Sequence, residues 1–350
     1  MPNTKKDIII VGQGIAGSVL ALELLNRKKS IVVIDKPQLS ASSKVAAGIW
    51  NPVVFKRLTK SWMADELIPS LNEFYTEAEI TTNTSFVEER KIAKLFTEEQ
   101  EINLWKKKST EEMQNYLTTT IYEMQHPLLS KYAIVKQAGN IDTKAFLNAT
   151  STYLQQKNSY INEVFDYSLV QLSENGIVYK STSASQIIFC EGYLIHQNPY
   201  FNYLPFKPAK GDVLTIFCKS LSIDFVLNKG IFIMPLGNHL FKIGATYNWQ
   251  NIHDTPSERA KEELISKFKK IVSYPFELIT HESGVRPSVI DRRPVLGTHP
   301  KHSNIKLFNG FGTKAVMLAP YFAKHFCDYL FDKKALLKEV DVKRFTKMDA

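Results

Sequence analysis

An α/β fold, with a Rossmann-like nucleotide-binding domain and a second α+β domain on a mainly antiparallel sheet, is what three features of the sequence predict. Residues 7–36, DIIIVGQGIAGSVLALELLNRKKSIVVIDK, read as strand, glycine turn, helix and strand. Residues 187–193, IIFCEGY, read as a further buried strand running into a glycine turn. Residues 229–247, KGIFIMPLGNHLFKIGATY, read as a hairpin of two strands with Gly237-Asn238 as the turn pair. Parallel strands joined through a helix account for the first segment, and an antiparallel sheet for the last.

The opening unit is the most informative. Ile8, Ile9, Ile10 and Val11 are all β-branched, as in a parallel strand buried on both faces. Gly12, Gly14 and Gly17 follow as G-x-G-x-x-G, and Leu20, Leu24 and Leu25 continue at helical spacing. Gly12 permits the tight strand-to-helix turn, Gly14 the close approach of a pyrophosphate, and Gly17 the close packing of helix on strand. The helix N-terminus, with Ile15 and Ala16, offers N–H groups and a partial positive charge to phosphates. A second strand over residues 31–34 ends at Asp35, with Lys36 beside it. Asp35 lies 35 − 14 = 21 residues past Gly14, where a carboxylate binds the hydroxyls of an adenosine ribose and disfavours a 2′-phosphate. The unit suits NAD and FAD alike. A glycine-rich turn in an unrelated α/β protein is its rival explanation.

Further along, Met63, Leu67, Leu71 and Phe74 form an apolar stripe at helical spacing, expected to face the core, while Lys56, Arg57 and Lys60 are expected to face a cleft. Between residues 56 and 138 only helices are expected. Asp142 is the expected N-cap of a helix. Residues 173–189 read as a hairpin strand and a buried strand. Residues 257–272 read as an amphipathic helix with Leu264, Phe268 and Ile271 inward.

Composition narrows the function. With 350 residues, 44% of them hydrophobic and 23% charged, the chain is long enough for two domains and is not of disordered type. The net charge of +9 suits an anionic cofactor, an acidic substrate or nucleic acid, although the basic residues are scattered. Cys190, Cys218 and Cys327 are far apart and form no CxxC, which argues against a zinc knuckle or disulfide framework and fits a reducing cytoplasm. No two histidines share a metal-binding spacing, and no G-x-S-x-G anchors hydrolase chemistry. Lys5 and Lys6 precede an apolar run as in a signal peptide, but Asp7, the glycines, Glu23 and Arg27 interrupt it. No uncharged apolar stretch reaches the 18 residues of a membrane span.

Four more segments occur in a telling order: SSKVAAGIWNPV at 42–53, IIFCEGY at 187–193, GVRPSVIDRRPVLG at 284–297 and NGFGTKAVMLAPYFAKHF at 309–326. Together with the first unit they resemble the D-amino-acid oxidase-like flavoprotein family. That family includes glycine and sarcosine oxidases and the flavin domain of a tRNA-modifying enzyme. The GxRPxxxDxxPxxG match is the most specific, and the resemblance runs to about Leu330. It implies FAD, bound by a discontinuous domain of residues 1–55, 139–195 and 280–350, with residues 56–138 and 196–279 forming the substrate domain. It implies that Ser42, Ser43, Ala47 and Gly48 line the flavin and phosphates, that Val164 meets the adenine, and that Gly192 sits beside the pyrophosphate. Gly310, Gly312, Thr313 and Lys314 would lie at the ribityl chain and the pyrimidine edge of the ring, where a helix start and a cation favour developing negative charge. The bland alternative for Lys314 is an exposed helix residue.

The resemblance assigns Arg286 to a substrate carboxylate, a task its planar fork suits. Its rival role is an internal ion pair with an acid such as Asp291. Phe232 stands where amino-acid oxidases commonly carry a tyrosine, so a substrate-binding phenol is absent unless Tyr247 replaces it. Asp212 stands where glutamine is usual, on a strand read as structural. The function implied is oxidation of a small amine or amino acid to an imine, by hydride transfer to flavin N5 in a cytoplasmic enzyme. Three rivals stand beside it. One is action on a carboxymethylaminomethyl-modified nucleoside in tRNA, motivated by the basic charge and by residues 50–60. The others are an NAD-linked dehydrogenase and a non-catalytic flavin-binding protein.

Overall fold

The computed structural model describes residues 4–36, 42–126, 129–173, 176–250 and 252–345. Two eight-stranded sheets organise it.

In the first sheet, strand Thr4–Val11 lies between Ile31–Asp35 and Thr182–Phe189 and runs parallel to both. Tyr160–Asn162 extends this parallel set beyond Ile31–Asp35. The first half of Thr182–Phe189 pairs antiparallel with Gly176–Tyr179, and its second half pairs parallel with Ile305–Asn309. The β-branched run has its cause in double burial. Ile8 and Ile10 pack with Leu20, Phe146 and Phe322 of helices Ile15–Asn26, Thr143–Gln156 and Ala315–Phe331. Ile9 and Val11 enter a separate core with Phe189, Phe201 and Val342 on the other face. Val11 is in register with Ile34 and Phe189, and Phe189 with Leu307. The chain therefore leaves the parallel strands at one common edge, where Gly12, Asp35, Glu191 and Asn309 gather. An open parallel sheet binds its ligand at such an edge.

The second sheet is antiparallel except where Val226–Asn228 runs parallel to Ile92–Phe96. Leu214, Ile216, Ile233 and Ile243 pack on Leu264 and Phe268 of helix Glu258–Lys269. Ile271 is buried just past that helix. The expected hairpin forms from Phe232–Gly237 and Leu240–Gly244. Its turn lies one residue later than expected, because Asn238 and His239 both take left-handed φ (50° and 59°), the pair a tight two-residue hairpin demands.

Residues 56–138 are not helices alone. Beside helices Ala64–Thr82 and Glu99–Thr110, strands Ile92–Phe96, Tyr122–His126 and Leu129–Val135 supply three of the second sheet's eight members. Ile92–Phe96 holds strand conformation through pairing with Val226–Asn228, over 120 residues away in sequence, and Leu129–Val135 and Tyr122–His126 add to it in turn. Leu67 and Leu71 enter the first core as the stripe required. Asp142 caps its helix by accepting a hydrogen bond from Ala145 N at 2.9 Å.

Candidate functional site

At the edge of the parallel strands lies a cavity of about 450 Å³. The glycines shape its floor. Gly12 has φ +97°, and a Cβ there would lie 2.7 Å from the Cys190 carbonyl oxygen. A Cβ on Gly14 would meet Ser43 Oγ at 3.0 Å. A Cβ on Gly17 would fall 1.9 Å from the Gly12 carbonyl oxygen, so Gly17 packs beneath the cradle and does not line it. Ile15 N donates to Ser43 Oγ (3.1 Å), which ties the start of the first helix to the segment 42–48. Asp35 accepts from Gln13 N (3.1 Å); burial raises its carboxyl pKa and that hydrogen bond opposes the rise. Gly12, Gly14, Ile15, Ala16, Asp35, Lys36, Ser42, Ser43, Val164, Gly192 and Gly312 all line this cavity.

A second cavity of about 320 Å³ continues from the first, since Ile15, Ser42, Ser43, Gly312 and Ala315 line both. Ala47, Gly48, Thr313, Phe232 and Arg286 line the second only. Among the described residues Arg286 is the single charged side chain lining it. Its guanidinium lies over Gly211, where a Cβ would come within 2.1 Å of Nη2. It donates to the Thr246 carbonyl oxygen (3.3 Å) and has the Tyr247 ring 5.0 Å away. Burial lowers its pKa. The rival ion pair does not form, for Asp291 pairs with Arg344 at 2.8 Å.

Three expected site residues stand elsewhere. Gly310 turns the backbone at φ +82° against Val289 and Val295, and lines neither cavity. Lys314 also lines neither: its Nζ turns to Ser61 Oγ (2.8 Å), and burial with the nearby Arg293 charge lowers its pKa to about 8. It is thus neither a cavity cation nor an exposed helix residue. Tyr247 is 40% exposed and packs on Arg286 and Trp249 outside the cavity, so it does not supply the phenol missing at Phe232.

The structure adds residues that motif reading passed over. Glu191 lines the first cavity, accepts from Tyr167 Oη and Asn198 Nδ2 (2.7 Å), and has its pKa pushed up to about 7 by burial. Its signal in the sequence was a carboxylate directly before Gly192 at a strand end. Lys242 is buried beneath segment 42–48 and donates to the Val45 carbonyl oxygen (3.2 Å). Asp212, buried on the far face of the second sheet, accepts from Ser257 N (3.1 Å) and meets His281 Nε2 at 3.0 Å.

The donor set fits a dinucleotide. A helix N-terminus and two serines border the centre of the trough, a carboxylate stands at the end of the second strand, and a glycine-walled extension leads to Arg286. No cluster of three metal-ligating side chains occurs among the described residues.

Comparison with known proteins agrees with this geometry. The family model described as FAD dependent oxidoreductase matches residues 7–329. A bifunctional protein ThiO/ThiG of Trichormus variabilis is 24% identical over 369 residues, covering 98% of this chain and 55% of that protein. The chain thus spans about half the length of the first curated relatives it matches. A glycine oxidase of Geobacillus kaustophilus is 21% identical, covering 90% of each chain. The crystal structure of iminodiacetate oxidase from Chelativorans sp. BNC1 superposes with a TM-score of 0.77 at 16% identity, covering 94% of this chain and 96% of that one.

Proposed function

This chain belongs to the FAD dependent oxidoreductase family and is an FAD-dependent enzyme, and from that premise we propose that it oxidises a small amine or amino acid bearing a carboxylate. One observation carries the proposal. Among the described residues Arg286 is a half-buried cation without a carboxylate partner, and it is the only charge lining the cavity that extends the nucleotide trough. Such a group requires an anion, and its fork matches a carboxylate with two parallel hydrogen bonds. Relatives named glycine oxidase and iminodiacetate oxidase act, by their names, on amines of this type.

In this reading Asp35 holds the adenosine ribose, and the glycine turn and Ser43 border the pyrophosphate. Gly48, Gly312 and Thr313 border the ring. When bound, FAD supplies the two-electron acceptor for the hydride leaving the substrate carbon, and the imine that remains is hydrolysed by water. Arg286 fixes the carboxylate, which sets the orientation of the neighbouring carbon. Phe232, Val213 and Val226 keep the floor dry. Among the described residues no histidine or carboxylate lines this cavity, so the amine binds in its neutral form. Lys314 and Tyr247 serve as positioning residues, Lys314 through Ser61 and Tyr247 through Arg286.

The test is an anaerobic titration with glycine, sarcosine, proline and D-amino acids, watching the oxidised-flavin absorption. At least one should bleach it. Arg286→Ala should retain FAD yet lose at least a hundredfold in the rate constant per unit substrate concentration. Full bleaching by the variant would defeat the reading.

A further inference from the structure

The floor of the Arg286 cavity is a single row of the second sheet. Val213 is in register with Gly244, Gly244 with Phe232, and Phe232 with Asn228. At the centre of the row, a Cβ on Gly244 would sit 2.9 Å from Phe232 Cζ and 2.8 Å from Val213 Cγ1, so the Phe232 ring lies across that glycine toward Val213. At one end the Arg286 guanidinium covers Gly211, two residues before Val213 on the same strand. At the other end stands Asn228, which lines the same cavity. Among the described residues the Asn228 carboxamide has no hydrogen-bond partner. The cavity's other asparagine is committed, since Asn51 Oδ1 accepts from Val53 N at 2.8 Å.

Beside Ile92, Val226 and Phe232, the half-buried Asn228 carboxamide is open to a hydrogen bond from a ligand in this cavity. The strands that carry Gly211 and Asn228 are three spacings apart, about 14 Å, and Gly211 stands two residues, about 7 Å, off the row, so the two ends lie about 16 Å apart. A hydrogen bond of about 3 Å at each end leaves about 10 Å for the ligand. Glycine and alanine fall far short of that; a long side chain with a polar end, of glutamine length or more, approaches it.

We propose that the substrate is an amino acid with an extended side chain ending in a polar, hydrogen-bonding group, and that Asn228 is the specificity-determining residue that reads this end while Arg286 holds the carboxylate. The aliphatic stem lies over Phe232. The inference rests on the amino-acid reading above and deepens it.

Stopped-flow bleaching of the holoenzyme under anaerobic conditions, with glycine, alanine, norleucine and glutamine as probes (chiral ones as both enantiomers), tests it. Glutamine should exceed norleucine by at least tenfold in rate constant per unit concentration, because a site built around a polar partner rejects an isostere that lacks one. Asn228→Leu should reverse that order while its spectrum shows FAD retained. Asn228→Asp should move the preference toward lysine. If glycine and alanine bleach the flavin as fast as glutamine, or if Asn228→Leu leaves the glutamine-to-norleucine ratio unchanged, the Asn228 assignment falls while the amine-oxidation reading stands. If no amino acid bleaches the wild-type flavin, both fall together.

Discussion

Arg286 depends on a residue that has no side chain, the cavity-lining Gly211. Gly211 leaves the space its guanidinium fills, with only 2.1 Å between Nη2 and the position of an added Cβ. Gly211→Ala should displace the fork and raise KM for the carboxylate substrate at least tenfold, with FAD content unchanged in the absorption spectrum. Glu191 makes a different prediction. Burial raises its carboxyl pKa from 4.5 to about 7, so the folded state holds the proton more tightly than the unfolded chain does. Its contribution is therefore complete below pH 4.5 and is lost as pH rises through about 7. The loss is about 3 kcal/mol, and thermal unfolding should show Tm falling between pH 4.5 and about 7 in the wild type and falling less in Glu191→Gln. At this scale, glycines and Asp35 were legible because their chemistry is tied to fixed spacings. Glu191, Lys242 and Asn228 were not, since each takes its meaning from residues of other elements: Tyr167 and Asn198 for Glu191, Val45 for Lys242, Ile92 and Arg286 for Asn228.

Among the elements, local signals decided what could be read. The strand-turn-helix-strand unit and the Asp142 cap are specified within a few residues of themselves. Asp142→Ala should cost about 1 kcal/mol, measured as a lower urea midpoint with an unchanged slope. Strands Ile92–Phe96 and Leu129–Val135 are illegible in the sequence for the opposite reason. Apolar runs this short fit helix and strand equally well, and their antiparallel partnership with each other, together with Val226–Asn228, is what decides. The hairpin turn lies one residue beyond the Gly237-Asn238 pair because Asn238 and His239 both adopt left-handed φ while Gly237 still pairs with Leu240. Lys314 shows the same dependence on surroundings. Its place at the start of helix Ala315–Phe331 suggested a cavity cation, and the path of its side chain to Ser61 could not be read from that helix.

For the molecule as a whole, the cofactor trough is walled by distant parts of the chain: the first unit, segment 42–48, residues 164–197 and the turn at 309–315. A ligand that touches all of these stabilises only the assembled state. FAD at about a hundred times its Kd should add about 2.7 kcal/mol, seen as a lower Tm after FAD is stripped and a recovery on adding it back. The general class of the molecule was visible at once, because a nucleotide cradle and a late arginine segment are both contiguous motifs. The shape of the substrate floor was hidden, because it is a row across four strands. The same discontinuity bears on synthesis. Strand Thr4–Val11 acquires its neighbour Thr182–Phe189 only after 182 − 11 = 171 further residues have been added, about 10 to 35 s of ribosomal elongation. During that interval one edge of an isoleucine-rich ribbon stays open, an invitation to wrong pairing between nascent chains that a chaperone, or a brisk supply of the missing strand, has to answer.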